Sequence, residues 1–297
     1  MKYYTNTKVS KNNNPAALLK AGRSALKTGD YSKAYKWLEQ LLDIREAEGK
    51  ESLELADALH EMGSLHLSLG RYDKVAPLFL RSLSLKEKIL TVEHPSGAKT
   101  RAKLGDLYKA KGELDKAESF YLRALSIYEK HSGLEEATVA DIWMELGDIY
   151  LSQKIYDKAE KFYNRAKAIN KKVRGINHPV IARINAKLAK IYTANGDLGK
   201  GEMFYIDSIA IVKESLGETH ASYARAVKKL ADFYKANGHY KKAEQSYQKA
   251  LSVAEKSFGE KHPFVAELLQ SLSGVYEQLG DYKKSAAMKA KAIKVYQ

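Results

Sequence analysis

A short turn recurs through the chain on a fixed clock. The tripeptide "GDY" at 29–31 returns as "GRY" at 70, "GEL" at 112, "KIY" at 154, "GDL" at 196, "GHY" at 238 and "GDY" at 280. The first interval is 41 residues and the next five are 42. No other property limits the fold as strongly. A repeat of this length is one supersecondary unit that buries its apolar face only by stacking on its neighbours, which makes the chain a solenoid. Seven units fill nearly all of the 297 residues. Their expected boundaries are near 15–55, 56–97, 98–139, 140–181, 182–223, 224–265 and 266–297, forming a single array over 15–297 behind a flexible polar lead-in over 1–14.

A histidine obeys the same clock. "EHP" at 93–95, "NHP" at 177–179, "THA" at 219–221 and "KHP" at 261–263 share one slot, and "EEA" at 135–137 fills the remaining place. Proline is preorganised for the first helical turn and keeps the preceding residue out of the α region, so His-Pro reads as the entrance to a helix. A catalytic or ligating histidine needs partners brought to one point, whereas these are dealt out one per repeat. His178 is therefore read as structural.

Within a unit two helical patterns alternate. Val180, Ile181, Ile184, Leu188 and Ile191 follow the spacing of an amphipathic helix until Gly196 breaks it. A second pattern is read through Met203, Tyr205, Ile206, Ile209 and Val212 and closes at Gly217. No stretch sustains strand alternation, so the expected fold is all-α with 14 helices. Two slots carry the packing. Gly22, Gly63, Gly105, Gly147, Ala189, Ala231 and Ser273 form a small slot in the first helix. Ala34, Val75, Ala117, Ala159, Gly201, Ala243 and Ser285, 12 positions later, form another in the second. Glycine inside a helix costs about 1 kcal/mol relative to alanine, so its recurrence implies close approach of the paired helices. An aromatic follows the first slot at Tyr108, Tyr150, Tyr192, Tyr234 and Tyr276, with His66 as its core-lining substitute in the second unit.

The stretch "KLGDLYKAKGELDKAESFYLRAL" at 103–125 resembles a tetratricopeptide repeat, with Leu-Gly, Tyr, Gly, Ala, an aromatic and a final Ala in order. The length of 42 residues and the "HP" between units resemble the kinesin light chain-type version. The resemblance implies an α-solenoid, a right-handed superhelix whose first helices line a concave groove, used as a protein-interaction scaffold. It weakens at both ends, where Ala25 occupies the tyrosine slot and Lys289 the place of Phe79, Tyr121, Tyr163, Tyr205 and Tyr247. The groove asparagines of kinesin light chains are not matched. That slot reads Lys103, Glu145, Lys187, Lys229 and Ser271, so no cargo is inherited. The lysine and asparagine clamp of chaperone-binding relatives is also missing as a set.

Chemistry finds no foothold. There is no cysteine, which removes thiolate metal sites and a cysteine nucleophile. "GDLGKGE" at 196–202 lacks phosphate-loop spacing and follows a helix instead of a strand. The histidines of "HEMGSLH" at 60–66 are six apart and face different sides of a helix. The chain is read as non-enzymatic, with no cofactor and no metal expected.

Charge supplies the functional clue. Residues 151–200 carry twelve basic and three acidic side chains, whereas 101–150 carry seven and ten. The groove register assigns Arg183, Lys187 and Lys190 to the fifth unit, and Arg225, Lys228, Lys229 and Lys235, with Asp232 among them, to the sixth. Two adjacent basic units repel unless an anion lies between them, so an extended or helical acidic peptide is the expected partner. Ion pairing between neighbouring repeats is the competing explanation. Alternatives are nucleic-acid binding through the basic region 151–235 and service as the sensor part of a longer protein. Self-association through an uncovered apolar end is a further expectation. No run of about 18 apolar residues would span a membrane, and "MKYYTNTKVSKNNNP" lacks the apolar stretch of a secretion signal. A cytoplasmic location is the default.

Overall fold

The computed structural model describes residues 14–131 and 136–295. The polar lead-in lies outside the described residues, except for Asn14, which caps the first helix. Among the described residues there are fourteen α-helices and no strand. They fall into two compact units, residues 1–135 and 136–297. The first unit holds α1 (Pro15–Thr28), α2 (Tyr31–Ala47), α3 (Leu53–Ser68), α4 (Tyr72–Ile89), α5 (Pro95–Ala110) and α6 (Leu114–Lys130). The second holds α7 (Glu136–Ser152), α8 (Tyr156–Arg174), α9 (Pro179–Ala194), α10 (Leu198–Leu216), α11 (Ala221–Ala236), α12 (Tyr240–Phe258), α13 (Pro263–Gln278) and α14 (Tyr282–Lys294). In both, each odd-numbered helix packs along the even-numbered helix that follows it. Each hairpin from the second onward begins three or four residues before the boundary read from the sequence, because the chain enters the helix at the histidine slot.

The recurring turn is two helix caps placed back to back. Gly29 adopts φ 75° and closes α1, with its N–H donated to Leu26 and that of Asp30 to the carbonyl of Ala25. Asp30 then accepts the N–H of Lys33 and opens α2. The pattern recurs at Gly196–Asp197 and Gly280–Asp281. A left-handed residue is what this closure demands, and glycine meets it without a side-chain penalty. "KIY" is the exception: Lys154 holds φ 60° in the same closure. Replacing Lys154 with glycine should raise stability by about 1 kcal/mol, read as an upward shift of the urea midpoint. A lower midpoint would contradict the assignment of strain to this position.

The histidine slot is a cap as well. The Nδ1 atoms of His94, His178, His220 and His262 accept the N–H two residues on, at 3.1, 3.3, 3.1 and 3.1 Å. Each of these histidines is extended, and in three of them proline follows as the first helical residue. His178 therefore satisfies one of the orphan N–H groups at a helix start, the work usually given to Ser or Asp.

In the second, third and fourth hairpins a glycine in the small slot lets ring and backbone meet. A Cβ placed on Gly105 would stand 2.6 Å from Cε1 of Tyr121, and one on Gly63 or Gly147 would stand 2.7 Å from Cε1 of Phe79 or Tyr163. In the seventh hairpin the two slots touch directly, Ser273 Oγ to Ser285 Oγ at 2.9 Å. The tyrosines of the first helix reach back to the preceding hairpin. Tyr192 donates to Glu160 at 2.7 Å and Tyr234 to Glu202 at 2.5 Å. The hydrogen bond to Glu160 is the main reason the Tyr192 phenol is pushed up to about 12, which keeps it a donor. His66 is buried in this slot with its ring edge toward Tyr35.

One apolar pattern differs from its sequence reading. Tyr205 and Val212 are buried in α10, but Met203 and Ile206 are 49% and 48% exposed. The buried stripe runs through Gly201, Tyr205, Ser208 and Val212, and Met203 and Ile206 lie off it. Lys289, where earlier hairpins bury an aromatic, is exposed and paired with Glu277 at 2.5 Å.

Candidate anion-binding groove

The first helices of the second unit bury most of their circumference. In α9 nine of sixteen residues are buried, from Val180 to Ile191, and an open stripe is left at Arg183, Lys187 and Lys190. These positions are four and three residues apart, so they stack along one helix face. In α11 the corresponding face carries Arg225, Lys228, Lys229 and Asp232, with Lys235 one turn on. All seven cations read from the sequence lie in this unit, but they do not form one site.

Two are neutralised by the protein itself. Lys187 pairs with Asp148 of α7 at 2.9 Å. Lys228 pairs with Asp232 and with Glu267 of α13, both at 2.9 Å. Burial alone would depress the Lys228 ammonium, but these two carboxylates outweigh it and raise its pKa. Lys235 sits apart, with its Nζ over Gly274 of α13.

The remaining four are uncompensated. Arg183, Lys190, Arg225 and Lys229 have no carboxylate within 4 Å among the described residues. The Lys229 side chain opens to solvent, yet the surrounding protein strips part of its hydration. That partial burial first, and then the charges of Lys187, Lys190 and Arg183, hold its ammonium below the usual lysine range. Arg225 is held without being neutralised. Its guanidinium lies over the rings of Phe258 and Phe264, 5.6 and 5.1 Å from their centroids.

A column of residues explains why charge accumulates here. Tyr121 donates to Asp106 at 2.7 Å and Tyr247 to Asp232 at 2.6 Å, and Tyr163 makes the same bond to Asp148. In the fifth hairpin the aspartate position is Lys190. The Tyr205 hydroxyl consequently has no hydrogen-bond partner among the described residues, and burial pushes it up to about 12. One substitution thus removes a carboxylate from the open face and adds an ammonium.

Between α9, α10 and α11 lies a cavity of about 190 Å³. Arg183, Arg225 and Lys229 line it above an apolar floor that includes Ala182, Val212 and Leu216. Sequence reasoning found the cations and missed that Val212 and Leu216 of the second helix lie beneath them. Among the described residues no cluster of His, Asp or Glu is placed to hold a metal ion, and no helix is long and apolar enough to cross a membrane.

Antiparallel helix pairs, nested small slot against ring and stacked at a period of 42 residues, define a helical repeat scaffold of the kind used for protein–protein interaction. The chain belongs to the tetratricopeptide repeat family, whose profile matches residues 14–88, 76–130, 138–197, 180–245 and 225–297. No curated protein matches it in sequence. Solved structures share the fold. The apo form of RapI superposes with a TM-score of 0.78 at 18% identity, covering 95% of this chain and 76% of that one. A signal transduction ATPase with numerous domains from Pyrococcus horikoshii, which carries a tetratricopeptide repeat sensor, gives 0.76 at 18%, covering 95% of this chain and 42% of that one. The nearly identical repeats of a Podosopora anserina kinesin light chain give 0.61 at 23%, covering 70% and 98%.

Proposed function

We propose that the protein is a non-enzymatic scaffold that binds an acidic peptide segment, extended or helical, along α9 and α11. The observation that carries this reading is that, among the described residues, Arg183 and Lys190 on α9 and Arg225 and Lys229 on α11 have no carboxylate partner. Like charges held together on fixed helices are a standing electrostatic cost that an anionic partner relieves. Because the helices are already ordered, binding requires no further ordering of the receptor.

Affinity for a Glu- and Asp-rich peptide library should fall at least about tenfold on charge reversal of Arg183 and Lys229, with the helical circular dichroism unchanged. Reversal of Lys187 and Lys228 should weaken binding less, because each already has an internal carboxylate partner. Equal binding by the Arg183 and Lys229 variant would remove the groove assignment. Equally tight capture of duplex DNA would favour the nucleic-acid alternative instead.

A second reading makes the array the sensor part of a longer protein. It is supported by the likeness to the Pyrococcus horikoshii protein, of which this chain spans 42%. Amide hydrogen exchange in α7, α8, α13 and α14, outside the proposed groove, measured with and without the bound peptide library, would show whether occupancy stiffens the array, as a sensor requires.

A further inference from the structure

We propose that the cavity between α9, α10 and α11 receives the phosphoryl group of a phosphorylated residue in the bound peptide. This assignment rests on the acidic-peptide reading and narrows it to one chemistry.

The cavity is lined by three cations, Arg183, Arg225 and Lys229, and by no carboxylate among the described residues. A glutamate or aspartate side chain would supply one negative charge and two oxygens, leaving most of this positive charge uncompensated. A phosphoryl group carries roughly 1.5 to 2 negative charges and three strong acceptor oxygens. Two planar guanidinium forks and one ammonium match that set, since arginine pairs with phosphate through two parallel N–H donors. Lys190 adds charge nearby because it stands where the third, fourth and sixth hairpins place an aspartate.

Arg225 lines the cavity while its guanidinium lies over Phe258 and Phe264, which leaves its charge without a carboxylate partner among the described residues. Ala182, Val212 and Leu216 line the cavity with apolar surface, the Ser208 hydroxyl is spent on the Ala182 carbonyl at 2.8 Å, and Ser222 adds one further hydroxyl-bearing side chain.

The test uses the full chain and three peptide libraries that differ only at a fixed central residue: phosphoserine, glutamate or serine. Fluorescence anisotropy should give the phosphoserine library about tenfold or greater preference over the glutamate library. The combined variant Arg183→Gln, Arg225→Gln, Lys229→Gln should bring the phosphoserine library down to the glutamate level, with unchanged helical content. Lys161→Gln, a change on the exposed face of α8, should preserve the preference. Inorganic phosphate should compete at millimolar concentration where acetate does not. Equal binding of the phosphoserine and glutamate libraries would overturn the phosphoryl assignment and leave the acidic-peptide reading standing. Failure of both to bind would overturn both. A phosphoserine preference that survives in the combined variant would overturn the placement in this cavity. Capture only of vesicles bearing phosphorylated headgroups would overturn the choice of a peptide.

Discussion

Replacing Gly147 with leucine should destabilise the fourth hairpin by about 1–3 kcal/mol, and replacing Tyr163 with alanine should cost about 3–5 kcal/mol. Both act on one contact from opposite sides. A single Cβ at Gly147 would already stand 2.7 Å from the Tyr163 ring, closer than carbon atoms tolerate, so leucine forces α7 and α8 apart. Removing the ring leaves a cavity at a fully buried position and also discards the hydrogen bond to Asp148. Trp143, on α7, stacks on Phe162 of α8 with centroids 5.3 Å apart, so its fluorescence reports the same hairpin. The chain holds only one other tryptophan, Trp37, so a Trp37→Phe background isolates the signal. An unchanged transition in either variant would contradict the nested-slot account. Arrays of this kind can lose repeats one after another, which makes the local reporter preferable to a whole-chain melt.

The first unit should lose stability as the pH falls below about 6.5, by up to about 1.4 kcal/mol per pH unit for each responding histidine. His60 is the main candidate. It is buried between α3 and α5, with Nδ1 3.1 Å from Thr100 Oγ1 and its ring 5.4 Å from that of Phe79. Burial first, and then the charges of Lys86, Lys99, Lys103 and Arg23, hold its pKa well below 6.5. His66 is lowered too, by burial and then by Lys74 and Arg71. The sign follows from proton uptake. Below about 6.5 the unfolded chain binds a proton that the folded chain refuses, so unfolding is favoured until the pH reaches the depressed folded value. Above 6.5 the contribution is constant. Urea titrations followed at Trp37, from pH 7.5 to 5.5, should show this slope in the native chain and a shallower one in His60→Gln. Identical slopes would place the effect elsewhere.

Most of the fold was legible because the period could be read directly. The interval of 42 residues fixed the number of hairpins, and the glycine turn and the histidine slot marked their ends. Local periodicity was a poorer guide. In α10 the run Met203, Tyr205, Ile206, Ile209 and Val212 mixes two faces of the helix, and only alignment with Tyr163 and Tyr247 separates the buried Tyr205 from the exposed Ile206.

The site was legible as charge, and ion pairing between neighbouring repeats was expected, but which residues pair was not legible. Asp148–Lys187 and Lys228–Glu267 are ion pairs between residues 39 apart, one repeat less three residues. The same offset places Phe264 against Arg225 and sets Lys190 against Lys229, a cation facing a cation. That offset depends on how one hairpin leans on the next, which no property of a single helix contains. Applied to the columns of the repeat, it separates the satisfied lysines from the unsatisfied ones. The cavity floor was missed for the same reason, since Val212 and Leu216 join Arg183 and Arg225 only through the stacking of α9, α10 and α11.

The most direct measurement of the central claim, that hairpins close through a small residue set against a ring, is a double-mutant cycle on Gly147→Leu and Tyr163→Ala. In the double variant the leucine enters the space vacated by the ring. Its cost should therefore fall short of the sum of the single costs by about 1 kcal/mol or more. Additivity to within about 0.5 kcal/mol would mean that the two residues do not share one contact, and it would contradict the packing on which the array is built.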